Sequence, residues 1–395
     1  MPDDVTAWLA GRAIPLGRLE PLKDVLDGVS VIGLGESTHG GAEFFPLRWR
    51  LTEFLVEELG FTTLAIEASA AAARAVDAYV TGGTGDPRAA LAGLGFWTLN
   101  TAEMLTVIER LREHNSTAAR PVRFAGVDPQ HPEAALRALR ARLGPDAAEL
   151  LDPLDGLAGT TPRPRWEPLD RQVEADARRL EEHVAAHGPA EAREHARIVR
   201  QFADMVSRPF RHADPLRTLG VARDRHMAEN VNLLMAEPDT KIVLWAHNGH
   251  VMKGRYGGGT VPSMGLHLAR DHGAAYYALG ATFGKGVFRA HHTRFGRIVR
   301  RRSPARFRVP LAGAPHVVEA RLAAAHPGDH VIDLRDGDRS EPVADWLAAT
   351  NHMRAFGGVA NRLTAKFAFM PTVLADQYDG LAFLHRITAS TPLDG

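Results

Sequence analysis

The chain has 395 residues, 45% hydrophobic and 24% charged, a balance that suits a folded globular protein rather than a disordered or fibrous one. Lys plus Arg equals Asp plus Glu at 47 each, so the overall basic field that would hold nucleic acid is absent. The lack of any cysteine excludes disulfides, thiolate metal sites and cysteine nucleophiles.

The opening residues, MPDDVTAWLAGRAIPL, have no basic stretch followed by a long apolar core, and no run approaches the roughly 18 uncharged apolar residues of a membrane span. The expectation is a cytoplasmic enzyme that engages neither membrane nor nucleic acid. Along the chain, short apolar runs bounded by turn residues predict buried strands. SVIGLG (30–35) comes first. PLRWRLTEFLVEELG (46–60) follows, with Leu47, Leu51, Phe54, Leu55 and Leu59 at near-helical spacing and Gly60 suited to a C-cap. TTLAIEA (62–68) and VRFAGVD (122–128) are the next strands. From 131 to 235 the composition turns to Ala, Arg, Glu and Leu in amphipathic patterns such as EAALRALRARLG, RQVEADARRLEEHVAAHG and EAREHARIVRQFADMVSR, broken by GTTPRPRWEPLD (159–170). Strands resume at KIVLWAH (241–247), AYYALGATF (275–283), HVIDLR (330–335) and DGLAFLHRI (379–387). Alternating strands and helices imply a mostly parallel sheet covered on both faces. We expect an α/β core of residues 1–130 and 236–395, with 131–235 as a helical insertion or cap. The basic tract RAHHTRFGRIVRRRSPARFR (289–308) reads as a solvated edge, with an anion-docking surface as the alternative.

In open α/β sheets ligands sit beyond the carboxyl ends of the strands. Here Glu36 and His39 follow the first strand, Glu67 ends the second, Asp128 the third, and His247, Asn248 and His250 follow the fourth. Imidazole and carboxylate thus recur at successive strand ends, the groups that move protons near neutral pH. Each has a structural alternative. Glu36 could bind turn amides, His39 cap a helix, Glu67 pair with an arginine, Asp128 form a turn before Pro129, His247 and His250 bond loop backbone, and Asn248 order its loop. No G-x-S-x-G elbow surrounds Ser37. Glu36, His39, Glu67, His247 and His250 could also furnish a divalent metal site, although they do not form the helical H-E-x-x-H pattern. We expect no cofactor, with a divalent metal as the alternative.

The segments GLGESTHGGAEFFPLRWRLTEFLVEELGFTTLAIEAS, RDRHMAENV, LWAHNGHV, SMGLHL and YYALGATFGKG, with a weaker echo in QYDGLAFL, resemble successive motifs of the erythromycin esterase family. The resemblance implies an α/β core with a helical insertion and hydrolysis of a macrolide lactone by histidine-activated water, without a serine nucleophile. Matched residue by residue, it implies a site acid and general base at Glu36 and His39, an arginine at Arg48 (with Arg50 as substitute), a second acid at Glu67, and paired histidines at His247 and His250. His39 would deprotonate water, and a later histidine with Arg48 would stabilise the oxyanion. Asn248, Asp128 and Lys285 are candidate substrate contacts. Lys285 replaces an acid frequent in the family and either favours an anionic substrate or faces solvent. The leading expectation is therefore an esterase or lactonase acting on a macrolide or related polyketide-like ester. The alternatives are a biosynthetic enzyme using the same groups for acyl transfer, elimination or cyclisation, and a ligand- or metal-binding module without turnover.

Overall fold

A computed structural model describes residues 3–144, 148–160, 167–256, 259–294, 297–299, 303–335 and 337–393. All seven apolar runs form strands of one large sheet. We label the edge strand Ile14–Pro15 β1, then Val31–Leu34 β2, Thr63–Ser69 β3, Arg123–Asp128 β4, Ile242–Trp245 β5, Tyr276–Arg294 β6, Ala305–Val309 β7, His330–Asp333 β8 and Gly380–Ile387 β9. Their order is β1-β8-β9-β6-β2-β5-β3-β4, with β7 pairing β6 off this path. From β9 to β4 the neighbours are parallel, while β8 is antiparallel to both β9 and β1.

The sheet is buried on both faces because its strands are apolar on both. Ile32, Leu64, Val243 and Trp245 pack into one hydrophobic cluster, and Val31, Ala65, Ile242 and Leu244 into the cluster on the opposite face. Helix α1 (Phe44–Leu59) covers the first face and ends at Gly60, whose left-handed φ of 70° lets its N–H reach the carbonyls of Leu55 and Val56.

Between Asp128 and Lys241 the described residues contain no strand. Helices α2 (Glu133–Leu143), α3 (Gln172–His187) and α4 (Ala190–Val206) form their own hydrophobic cluster, which also takes in Ala70 and Ala71 just after β3. Helix α5 (Leu219–Met235) differs, since Met227, Ala228 and Val231 belong to the cluster under the sheet. A buried polar seam joins α4 to α5: His226 Nε2 lies 2.7 Å from Asp204, and Gln201 and Asn230 bond each other side chain to side chain. Residues 161–166 of the proline-rich break lie outside the described residues, as do 295, 296 and 300–302 of the basic tract. Within that tract Arg306 and Arg308 are exposed, whereas Arg289 is buried.

The chain passes from β2 to β3 and β4, then returns to insert β5 between β2 and β3 and β6 on the other side of β2. This reversal leaves a crevice beyond the carboxyl ends of β2 and β5. Two glycines let backbone close around it. A Cβ on Gly35 would lie 2.1 Å from Asn248 Oδ1, and one on Gly40 would lie 1.9 Å from the Arg289 carbonyl oxygen. Gly40→Ala should therefore destabilise the protein by about 2–3 kcal/mol in urea unfolding. Gly11→Ala, in open space on an N-terminal helix, should be neutral or stabilising by up to about 1 kcal/mol.

Candidate active site

The first strand end supplies a buried acid held between an imidazole and a guanidinium. Glu36 Oε1 is 2.7 Å from His39 Nδ1, and Glu36 Oε2 is 3.0 Å from Arg48 Nη2. Arg48, 3% exposed, comes from the inward face of α1 and lies over the rings of Trp245 and Phe45. Arg50, the alternative, is exposed and borders a separate surface depression. Burial opposes ionisation of Glu36, but the Arg48 charge and the His39 hydrogen bond overcome it and lower the carboxyl pKa. His39 caps no helix. Its Nε2 has no hydrogen-bond partner among the described residues, and 21% of its side chain is exposed. Ser37 is fully buried.

Glu67 lies near the carboxyl end of β3, where a register shift between Ile66 and Ser69 interrupts pairing with the adjacent parallel strand β4, which Asp128 ends. Arg223, from α5, joins the two carboxylates: its Nη2 is 2.7 Å from Glu67 Oε1 and 2.5 Å from Asp128 Oδ2. The arginine-pairing alternative for Glu67 thus holds, as does the turn alternative for Asp128, whose Oδ1 accepts from the Gln130 N–H. Asp128 has no exposed surface and Arg223 fills its outer oxygen, so its geometry is that of an anchor for Arg223 rather than a substrate contact.

The fourth strand end separates the two later histidines electrically. Burial and the neighbouring His39 push His247 down to about 3. Its Nδ1 accepts from the Gly249 N–H at 3.1 Å, which leaves the ring proton on Nε2, and that atom is buried without a partner. The ring centroids of His39 and His247 are 5.2 Å apart. His250 behaves oppositely. Burial opposes its charge, yet Asp224 at 2.8 Å and Glu67 at 3.3 Å raise it to about 10. Arg223 Nη1 also lies 3.1 Å from His250 Nε2, so Arg223 and Glu67 both approach that ring nitrogen. Asp224 further accepts from the Tyr256 hydroxyl and the Met264 amide. Glu67, receiving the His247 N–H as well, is held well below the usual carboxylate range by His250 and Arg223 despite its burial.

A cleft of about 240 Å³ opens onto Glu36, His39, Arg48, Glu67 and Arg223, with Trp97 and Gly358 at its wall. Two expected contacts lie elsewhere. Both polar groups of the Asn248 amide are taken by the Ala281 backbone at 2.8 and 2.9 Å, so this side chain fastens β5 to β6 and is not free for substrate. Lys285 is exposed beside Arg386, because β6 continues past the site to Arg294. Among the described residues no group of three His, Asp or Glu side chains is arranged as metal ligands, and no helix is long and apolar enough to cross a membrane.

The erythromycin esterase family model matches residues 56–387. The chain belongs to that family. It is 25% identical over 296 residues to erythromycin esterase type I of Escherichia coli, covering 66% of this chain and 72% of that protein. It is 34% identical to the type II enzyme of Escherichia coli over 110 residues, which span 28% of this chain and only 26% of that protein. Among solved structures, a Bacillus cereus protein superposes with a TM-score of 0.80 at 24% identity, covering 98% of both chains. A mutant of erythromycin esterase EreC in its open conformation superposes with a TM-score of 0.68 at 17% identity, again covering 98% of both. These likenesses share the mixed α/β fold with its large, mostly parallel sheet.

Sequence reasoning missed Arg223, Asp224, Tyr256 and Trp97. The first two open the family segment RDRHMAENV, which lay inside the region read as a cap, and the signal was present in that motif rather than in its helical period.

The two later histidines bound a pH window of stability. His250, raised from about 6.5 to about 10, binds its proton more tightly when folded, so its contribution is complete below about pH 6.5 and fades as pH climbs through 10. His247, depressed to about 3, must stay neutral in the fold, so stability falls as pH drops below about 6.5. Urea unfolding across pH 4–10 should show both limbs. His250→Gln should flatten the alkaline limb and cost about 3–5 kcal/mol at pH 7, and His247→Gln should flatten the acid limb.

Proposed function

We propose that this chain hydrolyses an ester or lactone of a macrolide or related polyketide-like substrate, using water activated by His39 and no cofactor. The observation that carries the reading is the pairing of His39 Nδ1 with Glu36 at 2.7 Å, which leaves Nε2 free on a ring that lines the cleft and stands 5.2 Å from that of His247. Family membership points to a hydrolase, and two relatives are named for erythromycin esterase activity.

Glu36 accepts the Nδ1–H of His39, fixes the tautomer and stabilises the imidazolium that forms. His39 Nε2 removes a proton from water as the water oxygen attacks the carbonyl carbon. The donor for the developing oxyanion in this reading is the Nε2–H of His247, which has no partner within the protein and whose ring stands 5.2 Å from that of His39. As the carbon–oxygen ester bond breaks, His39 returns the proton to the leaving alkoxide, giving a carboxylic acid and an alcohol. Arg48, tied to Glu36, and His250, tied to Glu67 and Asp224, act as positioning residues. Inactivation of a macrolide antibiotic is the biological role this chemistry fits.

Hydrolysis of macrolide lactones and aryl esters by wild type and variants tests the assignment. His39→Ala should lose about 10²–10⁴-fold in kcat with unchanged unfolding, and His247→Ala about 10²–10³-fold. Arg48→Lys should lose less than His39→Ala. Retention of normal turnover by a folded His39→Ala protein would refute it.

A further inference from the structure

A second cleft, of about 340 Å³, shares no lining residue with the first. It is bordered by His247 itself and by the antiparallel pair Thr350–Arg354 and Phe369–Val373, whose inner residues are largely apolar. Met252, Met353 and Met370, three of the chain's nine methionines, line it together with Pro371 and Val373. Methionine is flexible and polarisable, and clusters of it suit an apolar group whose shape is not tightly specified. Met370, 42% exposed, stands at the solvent edge of this wall.

The two clefts differ in character. The first converges two carboxylates, two guanidiniums and His39 beside a rigid wall of Phe45, Phe96, Trp97 and Leu99, whereas flexible methionines line the second. An ester has two arms diverging from one carbonyl. His39 lines the first cleft and His247 the second, with their rings 5.2 Å apart, so an ester carbonyl held between these two rings would direct one arm towards each cleft. Tyr256 connects the two sides physically. Its ring lines the apolar cleft while its hydroxyl donates to Asp224 at 2.6 Å, the carboxylate that holds His250.

Resting on the ester-hydrolase reading, we propose that this methionine-lined cleft is a subsite for the apolar arm of the substrate, an extended alkyl or alicyclic group attached at the scissile ester. The partially exposed Met370 sets how well that arm is held.

The test compares p-nitrophenyl acetate with p-nitrophenyl decanoate in wild type, Met370→Asp and Met370→Trp. The Asp variant makes the wall charged, and the Trp variant fills it. Both should raise KM for the decanoate about tenfold while leaving kcat/KM for the acetate unchanged, a loss on the scale of one buried apolar side chain. Equal effects on the two esters, or none on the decanoate, would overturn the subsite. A turnover-independent arm keeps this separate from the hydrolase reading. With methyl-labelled methionine, the non-hydrolysable ketone 2-dodecanone should shift the NMR signals of Met252, Met353 and Met370, and acetone should not. If no ester is turned over but these signals shift, the hydrolase reading fails and the subsite stands. If esters turn over and the signals stay still, the subsite fails alone.

Discussion

One guanidinium bridges the ends of two strands. Arg223 carries a positive charge from α5 to Glu67 and Asp128, carboxylates that would be costly to bury side by side without it. Its own protonated form is favoured well beyond the ordinary arginine value, since Asp128 and Glu67 together outweigh the cost of burial. The contact also decides where the helical segment sits. Helix α5 must present Arg223 and Asp224 to the sheet, and the seam of His226, Asp204, Gln201 and Asn230 then fixes α4 against it. Substrate-facing geometry at the sheet and the position of the helices above it are thus one packing problem.

From this cation the character of each histidine follows. Glu67, bound to Arg223, still has capacity for His250, and with Asp224 on the other ring nitrogen His250 stays charged. His247 receives no carboxylate on its ring; only its backbone N–H reaches Glu67, so burial makes the imidazole neutral. His39 has an acid on one nitrogen and the cleft at the other. Three neighbouring imidazoles therefore sit in three settings: His250 charged beside two carboxylates, His247 neutral, and His39 bonded to Glu36 on one nitrogen and open on the other. Environment rather than residue type separates them.

Much of this was legible in the sequence, and the limits have physical causes. Buried parallel strands announce themselves as short apolar runs, and all seven read from the sequence lie in the sheet. Their carboxyl ends carry Glu36, His39, Glu67, Asp128 and His247 because a parallel sheet keeps those ends on one side. Arg223 escaped because a helical period reports which face is apolar but not which turn meets a strand 95 residues earlier in the chain. Asn248 was misread because its neighbours are polar site residues, although a close approach at Gly35 and the Ala281 backbone claims its amide. Lys285 was misread because the apolar run ends near Phe283 while the strand, supported by pairing with β7 and β9, does not.

The central claim is that water itself, activated by His39, is the nucleophile. A single-turnover reaction in ¹⁸O-labelled water, followed by mass spectrometry of both product and protein, addresses it directly. Direct attack predicts one labelled oxygen in the carboxylic acid product of the first turnover and no mass change on the protein at any time. An unlabelled first-turnover acid, or a transient acyl adduct on the chain, would contradict it.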